Sequence, residues 1–136
     1  MSSFAQLANE PTPEFLPETK FTFNFADGSQ AHVYGRPATD RNEAYLNMVL
    51  NRMARIRKQM QKGKLSSEMI KMQRQISRGI YADTVVTKIE GWVDSEGEEI
   101  ASNKQTIGEL MLALTDEQFD DMSDHFGDDE SFRVVN

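Results

Sequence analysis

The chain has 136 residues, no cysteine, two histidines and a formal net charge of −7. That length supports one core of ordinary domain size. The composition excludes disulfides, thiolate metal sites and cysteine nucleophiles, and no apolar run approaches the ~20 residues of a bilayer-spanning helix.

The charge is divided unevenly along the chain. Residues 1–35 carry a net −3, residues 36–82 a net +8 and residues 83–136 a net −12. A basic middle before an acidic end favours complementarity, within the fold or between copies, over nucleic-acid binding, because an overall acidic chain repels a phosphate backbone. Nucleic acid is therefore not expected as a partner, and the complementarity leaves room for a homo-oligomer.

Residues 1–19 hold Pro11, Pro13 and Pro17 without apolar periodicity and predict an extended N-terminal arm. Neither a basic nor an apolar leader segment opens the chain, so no secretory signal is expected. From Lys20 the order KFTFNF alternates, with Phe21, Phe23 and Phe25 on one face. Asp27-Gly28 suits a tight turn, and Gln30–Gly35 returns as a second strand, giving a β-hairpin.

Asp40 and Glu43 have capping-box spacing, and Tyr45, Val49, Met53, Ile56 and Met60 then recur at helical intervals. One long amphipathic helix is expected, stopped at Gly63, with Arg52, Arg55, Arg57 and Lys58 on its polar side. Ser66 or Ser67 caps a second helix whose stripe of Met69, Gln73, Ile76 and Ile80 runs to about Ile89. The β-branched Val85-Val86-Thr87 makes a short strand the competing reading. The two helices pack as an antiparallel hairpin. Met48, Met53, Met60, Met69 and Met72 crowd it, either as an adaptable core or as a partner-binding groove.

Gly91–Gly97 reads as a turn-rich break, after which Ser102/Gln105 and Thr115/Gln118 each mark the start of a short helix. From Gly127 the tail is acidic and frayed, with Phe132 folding back. The expected organisation is an arm at 1–19, one mostly helical α+β domain at 20–132 and a tail at 133–136.

No catalytic constellation emerges. The acids Asp120, Asp121, Asp124, Asp128, Asp129 and Glu130 fit no calcium-loop register and read as a solvated face. His125 falls beside Asp121 and Asp124 without a nucleophile, and His32 reads as an exposed or edge histidine. Neither an enzyme activity nor a cofactor or metal is expected. Trp92 is either a core anchor against the short acidic helices or an interface hot spot. The candidate partner-binding residues are thus Arg52, Arg55, Arg57, Lys58, Trp92, Asp120, Asp121 and Asp124.

The order of these elements resembles a family. A phenylalanine-rich strand with a DG turn, an Arg41-Asn42-Glu43-Ala44 helix start, a basic helix pair, and Tyr81–Val86 leading to Gly91-Trp92-Val93-Asp94-Ser95-Glu96-Gly97 are similar to small assembly proteins of tailed bacteriophages, the tail assembly chaperones above all. The resemblance implies a factor of the infected host's cytoplasm that binds tape-measure or tail-tube protein. Its alternative is a structural virion component, such as a capsid cement or head–tail protein, that binds neighbouring subunits through its N-terminal arm and charged faces.

Overall fold

The computed structural model describes residues 16–63 and 66–132, with Arg55 by its main chain alone. Most of the expected N-terminal arm and the whole tail at 133–136 lie outside the described residues.

Alternation in the sequence becomes a sheet face. Strands β1 (Thr19–Asn24) and β2 (Gln30–Gly35) pair antiparallel with Phe21 opposite Val33 and Phe23 opposite Ala31. Gly28, at φ +86°, takes the left-handed position of the connecting turn. Phe25 is 36% exposed and marks where the apolar face of the hairpin runs out.

Helix α1 (Glu43–Arg52) starts two residues later than a box at Asp40 implies. Its N-cap is Asn42, whose side chain accepts from the Tyr45 amide at 3.2 Å. The same buried side chain donates to the Thr84 carbonyl at 2.8 Å, so the cap also ties α1 to a distant turn. The expected single long helix is interrupted at Met53, where ψ is −9°, and resumes as α2 (Ala54–Gln61). Neither proline nor glycine marks the break. After Gly63, α3 (Ser67–Ile80) begins on Ser66, whose hydroxyl accepts from the Met69 amide at 3.3 Å.

The second helix does not run to Ile89. At Tyr81–Val85 the chain widens into a π turn in which the Val86 amide bonds to the Tyr81 carbonyl. It then enters strand β3 (Val86–Glu90), so the competing reading is the correct one. β3 pairs antiparallel with β2, placing Ile89 opposite Val33, and the hairpin becomes a three-stranded sheet in the order β1-β2-β3. The cause is β-branching in Val85-Val86-Thr87 combined with an open edge on β2, an edge that local periodicity does not reveal.

Past Gly91, Val93 bridges Glu99 around the turn expected there, and Asp94 Oδ1 accepts from the Glu96 and Glu98 amides at 2.9 and 3.0 Å. Helix α4 (Lys104–Ala113) is capped by a box of Asn103 and Thr106, one residue beyond the expected Ser102/Gln105. Ser102 instead accepts from the Ile89 amide at 2.9 Å and so covers the outer edge of β3. Helix α5 (Asp116–Phe126) has the expected Thr115/Gln118 box. The chain beyond it does not fray at once: a 3₁₀ turn at Asp129–Phe132 buries Phe132.

The architecture is α+β. The inner sheet face packs against α4 and α5, and Val33, Val85, Ile107, Met111, Phe119, Met122 and Phe126 form one core with Tyr81 and Ile89. Each such side chain contributes about 1.5–3 kcal/mol on burial. Contact between sheet and α5 is close: a Cβ on Gly35 would stand 2.8 Å from Phe126 Cε1. The Phe126 carbonyl accepts from the Ala38 amide at 2.9 Å, which fixes the C-terminal end of α5.

Candidate interaction surface

The helical hairpin formed by α1, α2 and α3 leaves most of its described residues exposed. Helix α1 buries none of its residues, although Tyr45 and Val49 are half-buried. Leu46, Leu50, Met60, Ile70 and Met72 stand in solvent, with Leu50, Met60 and Met72 between 46 and 48% exposed. Ile56 of α2 and Met69 of α3 are buried. The five methionines thus divide: Met69 is core, Met48 and Met53 are half-buried, and Met60 and Met72 are surface. Gln73, expected on the buried stripe of α3, is exposed.

The basic residues of this region have different roles. Arg52 donates from Nη2 to Asp83 Oδ2 at 2.8 Å and braces α1 against the π turn. Arg57 and Lys58 are exposed and have no ion-pair partner among the described residues, while the side chain of Arg55 lies outside them.

Arg78, which the residue pattern did not single out, is 7% exposed. Its Nη1 donates to the Met111 carbonyl at 2.8 Å and also to that of Leu114, so it satisfies the carbonyls that α4 leaves open at its C-terminal end. Its Nη2 reaches Asp116 Oδ1 at 2.9 Å, and the guanidinium lies 5.1 Å from the centre of the Phe119 ring. Arg74 pairs with the other oxygen of Asp116. Complementarity between basic middle and acidic end is therefore realised inside the fold at Asp116 and Asp83. An arginine in a helix otherwise reads as surface, and only the spacing of Arg74 and Arg78 ahead of an acidic helix start hints at this contact.

Trp92 is half-buried and rests mainly on the β-hairpin rather than on the acidic helices. Its indole donates to the His32 carbonyl at 3.1 Å, and its ring meets Phe23 and Phe25 edge-on at 5.3 and 5.8 Å. Its other side opens on a groove of about 300 Å³ lined by Ile89, Ile100, Leu110 and Leu114, with Gln118 at its border. Trp92 is thus both an anchor of the hairpin and a wall of an apolar groove.

Asp120, Asp121 and Asp124 are exposed on α5, opposite the buried Phe119, Met122 and Phe126. Among the described residues, no group of three or more His, Asp or Glu side chains is placed to hold a metal ion. His125 turns away from Asp121 and Asp124. Its ring packs on Phe21 and Phe126 at 5.4 and 5.2 Å, its Nδ1 is 3.4 Å from the Ser131 hydroxyl, and its buried Nε2 has no hydrogen-bond partner within bonding distance among the described residues. Burial lowers its pKa below the usual histidine value, against the opposing influence of the Asp128 charge. His32 sits on the central strand, not at an edge, half-buried and 2.9 Å from the Thr22 hydroxyl. Burial among Tyr45 and Phe119 raises the Tyr81 phenol well above its ordinary value.

No helix among the described residues is long and apolar enough to cross a membrane. Comparison with protein-family models, with curated proteins and with solved structures finds no match.

Proposed function

We propose that the protein acts by binding another protein and keeping it competent for assembly, in the manner of a phage tail assembly chaperone whose partner is the tape-measure or tail-tube protein. The observation that supports this reading is the helical hairpin. Its first helix buries no residue, and Leu46, Leu50, Met60, Ile70 and Met72 stay exposed beside Arg57 and Lys58. Flexible, polarizable methionines suit a surface that repacks on an apolar partner. On this reading the protein works in the cytoplasm of the infected host and is released before the particle is complete.

Co-expression with the tape-measure protein tests it. Wild-type protein is expected to hold that partner in the soluble fraction, a Leu46→Asp, Leu50→Asp variant is expected to lose it, and purified virions are expected to lack the chain. A second reading, a structural virion component, draws on the exposed charged face of α5 at Asp120, Asp121 and Asp124. Many copies in purified particles would select it.

A further inference from the structure

Two charged stripes remain unpaired after the intramolecular contacts are made. On α5, Glu117, Asp120, Asp121 and Asp124 are all exposed, at spacings of three and four residues that place them on one face. On α2 and its C-cap, Arg57, Lys58 and Lys62 are exposed, Lys58 and Lys62 again four apart. None of these seven residues has an ion-pair partner among the described residues. We propose that α2 of one copy docks on α5 of a second copy, the cationic stripe against the acidic one. This goes beyond the chaperone reading and holds or fails independently of it.

The fold separates the two stripes within one chain. Arg74 and Arg78, at the far end of α3, hold Asp116. The tip bearing Lys58 and Lys62 lies at the start of α3, which at 1.5 Å per residue is about 15 Å along the helix axis from Arg78. The stripe of α5 runs onward from Asp116 toward β1, where His125 meets Phe21. Each copy therefore presents one basic and one acidic helix at different places. Such a contact is heterologous and generates a ring or an open chain rather than a closed two-fold dimer.

Antiparallel alignment of the helices satisfies both charge and dipole. The cations lie toward the C-terminal end of α2 and the acids begin at the N-terminal end of α5, so each stripe sits at the favourable end of its own helix's macrodipole, and the two helix dipoles run antiparallel. Individual exposed pairs are weak, so the contact depends on several acting together and on low salt.

Sedimentation velocity of the full chain over a concentration series tests the proposal. The wild type should form species larger than a dimer at about 0.1 M salt, with apparent affinity at least tenfold lower at about 1 M, where the Debye length falls from ~10 Å to ~3 Å. A Lys58→Glu, Lys62→Glu variant should be monomeric, and so should an Asp120→Lys, Asp124→Lys variant. Mixed in equal amounts, the two should associate again, because the acidified α2 of the first now meets the basic α5 of the second. A wild type that stays monomeric, an assembly that survives in either variant alone, or a mixture that fails to associate overturns the proposal.

Discussion

Arg78 donates from one nitrogen to Asp116 and from the other to the carbonyls that end α4, so a single guanidinium joins three helices. Its two ends differ in value. The carbonyl side is buried, whereas the Asp116 side chain is 59% exposed and its attraction is screened by water. Arg78→Met should cost about 2–3 kcal/mol of unfolding free energy, the scale of hydrogen bonds to a charged donor, and Asp116→Asn less than about 1 kcal/mol. Urea unfolding of both variants checks the ranking.

Gly35 and Phe126 make the second sensitive contact. With only 2.8 Å from a built Cβ to the ring, Gly35→Ala forces the aromatic side chain or the strand to move, at a cost of about 1–3 kcal/mol. A Gly35→Ala, Phe126→Leu double variant should recover part of that loss, read by thermal unfolding.

The pH dependence has a definite sign. The pKa of His125 is lowered by folding, so between its unfolded and folded values the unfolded chain binds more protons. The stability it contributes is present above the unfolded value of about 6.5 and is lost as pH falls through the folded one. Urea midpoints measured from neutral pH to pH 5 should fall less steeply in His125→Phe than in the wild type.

Trp92 is the only tryptophan of the chain and stands in the wall of the apolar groove. Trp92→Ala should cost about 2–3 kcal/mol, below the range for a fully buried tryptophan because the ring is half-exposed. A ligand that fills the groove should shift its fluorescence to shorter wavelength, and denaturant titration and emission spectra measure the two effects.

Where structure depends on short-range chemistry, the residues already announce it. Phe21 and Phe23 alternate into a sheet face, Ser66 and Thr115 cap the helices that follow them, and Asp94 folds its own turn. Where it depends on distant partners, they do not. β3 forms because β2 offers an edge, Asn42 is buried because Thr84 lies 42 residues further on, and Arg78 is buried because α4 ends beside it. The surface residues follow the same division: Arg57, Lys58, Asp120, Asp121 and Asp124 are exposed as their periodicity predicts, whereas Arg52 is engaged by Asp83 and Trp92 by the β-hairpin.

The π turn at Tyr81–Val85 makes the junction between hairpin and sheet intolerant of changes in length. Deleting one residue there would tighten the turn to α-helical spacing and slide β3 by one position, turning Glu90 inward in place of Ile89. The opposite end of α3 is under no such restriction, since the connection from α2 to α3 joins two helices and sets no strand register. Insertions and deletions are therefore admissible at the tip of the hairpin and forbidden at its base, so the binding surface can lengthen or shorten while the core stays in frame.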